Sequence, residues 1–140
     1  MRPDARLLLA ALLLSGCGAS DVIDVDDARV RALIPSQETT AAYFTLHNER
    51  AEPVILVGAE SDAARSIEMH TSRRDGEVVR MRRLPNIQIP AGGTVRFEPG
   101  GHHLMLFGVT SLGARCRIRL LFADGTAQTV TFERVAAGAS

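Results

Sequence analysis

The stretch Arg115–Val135, RCRIRLLFADGTAQTVTFERV, decides the class of fold. From Arg115 to Leu120 charged and apolar side chains alternate, with Arg115, Arg117 and Arg119 on one side and Cys116, Ile118 and Leu120 on the other. A period of two is that of a strand with one wet face. Asp124-Gly125 then supplies a turn, and a second run of β-type residues follows. The same alternation turns the Cys116 sulfur inward, as a buried structural thiol rather than a reactive one.

Outward from this segment the chain repeats the pattern. VRALIP, AAYFTLHN, PVILVGAE, SIEMH, EVVRM, TVRFE and HHLMLF are short β-type runs, and Asp75-Gly76, Gly92-Gly93 and Gly100-Gly101 are turn signals between them. No segment keeps a helical period over the length a stable helix needs. Many short strands at close spacing in a chain of 140 residues predict an antiparallel sandwich or barrel.

The N-terminus follows different rules. Arg2 and Arg6 precede the apolar run Leu7–Leu14, which is too short to span a bilayer and has the layout of an export signal. Leu14-Ser15-Gly16-Cys17 resembles the lipobox of bacterial lipoproteins, in which the cysteine is lipidated and becomes the new N-terminus. The expected organisation is a signal peptide over 1–16, a lipidated tether over 17–26 and one domain over 27–140, facing the periplasm and anchored to a membrane of the cell envelope. With Cys17 lipidated, Cys116 is the only thiol left, so neither a disulfide nor a cysteine-rich metal site can form. The formal charge is +0 and every basic side chain is arginine, which argues against nucleic-acid binding and removes lysine-based catalysis.

The residues that carry chemistry sit in two stretches. PGGHHLMLFG, Pro99–Gly108, places His103 and Met105 two apart, on one face of a strand and about 7 Å apart along it. EMHTSRRDGEVVRM places His70 and Met81 on either side of Asp75-Gly76. If those two residues are the centre of a type I′ hairpin, Arg74 faces Glu77 and His70 faces Met81, with Cβ atoms about 4.5–5.5 Å apart. Each histidine or methionine alone also suits a core. Two imidazoles and two thioethers together form a soft, uncharged donor set that matches Cu(I) rather than zinc, calcium or magnesium. A blue-copper site needs a cysteine beside its histidines, and Cys116 lies on another strand.

In these residues the sequence resembles the periplasmic copper chaperones called PCu(A)C. Their signature is His, ten residues, Met, twenty-one residues, His, one residue, Met, and His70, Met81, His103 and Met105 fit it without a gap. AAYFTLHN, IQIPAGGTVRFEPGGHHLML and LLFADGTAQTVTF also look like the family's segments. The resemblance implies a single-domain cupredoxin-like antiparallel β-sandwich or Greek-key barrel that binds Cu(I) through those four residues. It implies delivery of copper toward cytochrome c oxidase, with oxidase subunit II or a Sco-type assembly protein as partner. Two departures stand out. The chain ends ERVAAGAS, without the histidine- and methionine-rich extension of many members, so a second copper site is not expected. A lipid anchor would also restrict long-distance shuttling.

Beside the four candidate ligands, alternation turns Met69 and His102 to the opposite face. His47, at a strand end, reads as a surface residue. Arg73, Arg74, Arg80, Arg82 and Arg83 form either a solvated face or a docking patch for an acidic partner or anionic lipid. No nucleophile, base and orienting group form a recognisable set, so the chain is expected not to be an enzyme. A copper-sequestering lipoprotein and a metal-free structural lipoprotein are the alternatives to a chaperone.

Overall fold

The computed structural model describes residues 22–139, all strand and loop. The expected signal peptide and Cys17 lie outside the described residues. The strands are β1 (Ile23–Arg31), β2 (Thr39–Asn48), β3 (Val54–Glu60), β4 (Ser66–Asp75), β5 (Val78–Leu84), β6 (Ile87–Ile89), β7 (Thr94–Phe97), β8 (His102–Phe107), β9 (Arg115–Phe122) and β10 (Ala127–Val135). They form one ten-stranded sheet in the order β5-β4-β8-β7-β2-β1-β10-β9-β3-β6, and β8 also pairs with β2.

The segment Arg115–Val135 forms the hairpin its alternation predicts, from Glu133↔Arg115 to Ala127↔Leu121. Cys116, Ile118, Leu120 and Phe122 are buried in β9 while Arg115, Arg117 and Arg119 face solvent. Cys116 is the inward thiol expected, 3.6 Å from the Ser61 hydroxyl. Most pairs are antiparallel, but β1–β10 and β7–β8 are parallel. The first joins strands from opposite ends of the chain, where no hairpin dictates direction, and the second is a single residue pair, Phe97↔His102.

Two elements differ from the sequence reading. β1 begins at Ile23, inside the segment assigned to the tether, because Ile23 already pairs with Asn48 and buries its side chain. β6 was not predicted. A strand of three residues is too short to show a period, yet Ile87 and Ile89 are buried and Gln88 is exposed.

All strands except β5 bury side chains in one apolar core, and Leu84 of β5 packs against it. Phe44 on β2 stacks on Phe97 of β7 at 4.2 Å between ring centroids and meets Phe132 of β10 edge-on at 5.6 Å. β1 lies between β2 and β10 in the sheet, so the Phe44–Phe132 contact requires the sheet to curve around this core. The outer face of β1, β2, β8, β4 and β5 is thereby left as a continuous surface, and it carries the candidate site.

Candidate functional site

The site is built on β8 and β4, which are far apart in sequence and adjacent in the sheet. Their register places His70 opposite His103 and Glu68 opposite Met105. Directly opposed residues share a face, so all four side chains lie together on the outer surface. The two imidazole rings are 5.9 Å apart, centroid to centroid.

β5 brings the fourth candidate, with a corrected partner. Met81 lies opposite Ser72, and His70 lies opposite Arg83, so the direct His70–Met81 pair does not form. The reason is the turn: Asp75 pairs with Val78, and Gly76-Glu77 are the central residues. Gly76 has φ 63° and Glu77 has no positive φ, the pattern of a type II′ turn, which places glycine first. The register consequently moves by two residues. Two is the period of a strand, so Met81 keeps its face and joins His103 and Met105 on one cleft.

That cleft has a volume of about 430 Å³ and is also lined by Arg31, Tyr43 and Ser72. The Tyr43 ring lies 6.4 Å from that of His103, and Arg31 packs over Tyr43 at 5.1 Å. His103 is 4% exposed, Met105 is half-buried and Met81 is 53% exposed. The set therefore grades from a buried imidazole to a thioether open to solvent.

The Gly-Gly turn before His103 explains its orientation. Gly100 adopts φ 80°, and the carbonyl of Gly101 accepts hydrogen bonds from the Ser72 backbone N–H and from His103 Nδ1, each at 3.0 Å. A carbonyl only accepts, so Nδ1 carries the proton and Nε2 keeps its lone pair. On β4 the Glu68 carboxylate accepts from His70 Nε2 at 2.9 Å, which leaves the lone pair on Nδ1. His103 Nε2 and His70 Nδ1 are both buried with no hydrogen-bond partner. Burial, ahead of the charges of His70, His102 and Arg31, holds the His103 pKa below its ordinary 6.5 despite the opposing effect of the Gly101 hydrogen bond. The ring is neutral at pH 7, the state in which a nitrogen can bind metal.

Glu68 is a residue of the candidate site that the sequence reading does not include. Its carboxylate holds His70 with one oxygen and lies 3.6 Å from Arg83 Nη1 with the other. A carboxylate two residues before a strand histidine shares its face, and that spacing was the available signal. Met69 is buried in the core, and His102, opposite Thr71, packs near Phe97 at 5.9 Å, so both turn away from the cleft as expected. His47 is a surface residue held by Thr94 and Asp26. Among the described residues no group of three or more His, Cys, Asp or Glu side chains is placed to hold a metal. His102 Nδ1 is also buried without a partner, but on the opposite face beside Phe97; on the cleft face, His103 Nε2 and His70 Nδ1 acquire a soft donor set only when the thioethers are included.

Residues 23–133 match the family described as "LpqE-like: Putative lipoprotein LpqE-like". "Putative lipoprotein Lxx21020" of Leifsonia xyli subsp. xyli is 33% identical over 115 residues, which are 79% of this chain and 68% of that protein. The protein RP573 of Rickettsia prowazekii is 33% identical over 95 residues, and the chain spans 52% of its length. Among solved structures, the Cu(I) form of DR1885 from Deinococcus radiodurans is 34% identical with a TM-score of 0.67, over 86% of this chain and 82% of that one. The copper-bound PCuAC domain from PmoF2 has a TM-score of 0.70 at 22% identity, over 81% of this chain and 92% of that one, a likeness of fold. The all-β architecture expected from the resemblance is thus the fold of PCuAC domains.

Proposed function

The chain belongs to the LpqE-like family, and from that membership and the donor set on β8, β4 and β5 we propose that it is a copper chaperone of the bacterial envelope. Its cargo is Cu(I), bound through His70, Met81, His103 and Met105. One observation carries this reading: His103 Nε2 and His70 Nδ1 are buried without partners on facing strands, beside two thioethers. A buried polar nitrogen without a hydrogen bond is costly, and a metal ion satisfies it. Both nitrogens are held by hydrogen bonds on the far side of their rings, the arrangement that orients metal-binding histidines. The Cu(I)-bound DR1885 structure supports the choice of metal.

The donors are neutral, so the bound ion keeps its charge and the ligand set is complete without deprotonating a thiol. Met81, exposed on β5, is the ligand a partner reaches first. Copper would leave by ligand exchange beginning there, while His103 releases it last. We read the chain as a carrier rather than an enzyme, with an oxidase copper centre as acceptor. The test is an anaerobic Cu(I) titration against a competing chelator, followed by transfer to oxidase subunit II. Binding without transfer assigns the chain to copper sequestration, and no binding overturns the reading.

Glu68→Gln tests the orientation of His70. The amide can still present an oxygen, but it loses the charge that strengthens the hydrogen bond orienting the imidazole. Cu(I) affinity should fall about 10–100-fold with the fold intact, the usual cost of losing an outer-shell carboxylate. Circular dichroism and chelator competition measure the two effects.

The N-terminal residues complete the proposal as a signal peptide over 1–16 and a lipidated Cys17 that tethers the copper domain to a membrane. Wild-type protein should incorporate labelled fatty acid and sediment with membranes. Cys17→Ser should lose the label. Unlabelled wild-type protein in the soluble fraction would show that no such anchor exists.

A further inference from the structure

The β4–β5 hairpin projects beyond the body that carries it. β4 pairs with β8 only as far as Thr71, and past Ser72 the two hairpin strands pair with each other alone up to the Gly76-Glu77 turn. Every residue from Arg73 to Arg83 is exposed. That stretch holds Arg73, Arg74, Arg80, Arg82 and Arg83 against Asp75 and Glu77. Arg80 lies 3.9 Å from Asp75 and Arg83 lies 3.6 Å from Glu68. Among the described residues, Arg73, Arg74 and Arg82 form no ion pair. Next to the turn, at the start of β5, Val78 and Val79 are 53% and 55% exposed.

The register supplies a second observation. Thr39 of β2 lies opposite Phe107 of β8, and Phe107 lies opposite Ser66 of β4, so β2 and β4 start at the same level and run in the same direction. Each is 10 residues long, so Asp75 ends level with Asn48. Asn48 pairs with Ile23, the first residue of β1. The hairpin tip and the entry of the chain into the domain therefore lie at the same end of the sheet. From Cys17 to Ile23 the chain reaches at most about 20 Å, so a lipid on Cys17 would keep this end close to the bilayer.

We propose that the β4–β5 hairpin is a membrane-docking element. Arg73, Arg74 and Arg82 bind anionic lipid headgroups while Val78 and Val79 enter the interface. Guanidinium groups flanking exposed aliphatic side chains complement a layer that is anionic at its surface and apolar beneath. An acidic protein surface would account for the arginines but not for the two valines beside them. The proposal takes from the anchor reading only the way the domain reaches the bilayer. The surface itself can be tested without the lipid.

The chain from Gly18 onward contains the whole core and serves as the unlipidated protein. It should sediment with vesicles of phosphatidylglycerol and phosphatidylcholine but not with pure phosphatidylcholine, and less strongly as salt is raised. Each arginine near an anionic surface contributes roughly five-fold in partition, so Arg73→Gln/Arg74→Gln/Arg82→Gln should lower it about a hundred-fold. Arg96→Gln/Arg117→Gln/Arg134→Gln removes the same charge elsewhere and should leave most of the binding. Val78→Ser/Val79→Ser should weaken binding at unchanged charge. Equal losses in the two arginine triples, or no binding to anionic vesicles, would overturn the proposal. Binding to polyglutamate without binding to vesicles would overturn it in favour of an acidic protein partner. None of these outcomes depends on whether wild-type Cys17 is lipidated, which the fatty-acid label decides separately.

Discussion

Met105→Leu is expected to lower Cu(I) affinity by more than about a hundred-fold while leaving the fold in place. The affinity estimate follows from outer-shell losses, which alone cost about 10–100-fold, and a thioether bound to the metal counts for more. The stability estimate follows from volume: a methionine-to-leucine exchange usually costs less than about 1.5 kcal/mol. Met105 is half-buried beside Ala41 and Glu68, so leucine fills the same space and lacks only the sulfur. His103→Ala should be at least as damaging to affinity, since it removes the nitrogen held in place by Gly101. Met81→Leu should weaken binding with almost no change in melting temperature, because Met81 touches no core. His102→Ala and Met69→Leu serve as controls and should retain affinity. Chelator competition gives the affinities, and X-ray absorption of the Cu(I) form should show nitrogen and sulfur neighbours. Wild-type affinity in both methionine variants would remove the thioethers from the site.

Phe44→Ala is expected to cost about 3–5 kcal/mol of stability, the range for truncating a buried aromatic. Phe44 is 0% exposed, stacks on Phe97 and meets Phe132, so it joins β2, β7 and β10 across the curve of the sheet. The backbone of β2 continues past β8, where Ala41 and Ala42 pair with Met105 and Leu104. Loss of packing on the inner face should therefore loosen the strand that supports the candidate site. Thermal unfolding should show a much lower midpoint, and Cu(I) should recover part of it because the metal binds the folded state alone. A loss below about 1 kcal/mol in chemical denaturation would mean that the three rings do not hold the sheet closed.

Much of the site was legible because a strand has a period of two, and parity is a local property. Parity sets Met69 and His102 aside, turns Cys116 inward and keeps Met81 on the cleft face even though the hairpin register differs from the one expected. The register itself was not legible. Asp-Gly is a strong turn signal, but the turn formed one residue later, on Gly76-Glu77, where glycine takes the first central position of a type II′ turn. β6 is not legible because a strand of three residues is too short to show alternation.

The sequence by itself determined the strand class of the fold and, by parity, the face shared by the candidate ligands, whose spacing resembles that of the PCu(A)C chaperones. Only the tertiary structure decided that His70 lies opposite His103, that Glu68 and Gly101 hold the two rings with bare nitrogens inward, and that the arginine hairpin shares an end with the N-terminus. The physical reason is that pairing between β4 and β8 is made by backbone groups, which are the same at every residue. Which strands meet, and in what register, is set by how all the apolar faces close around one core.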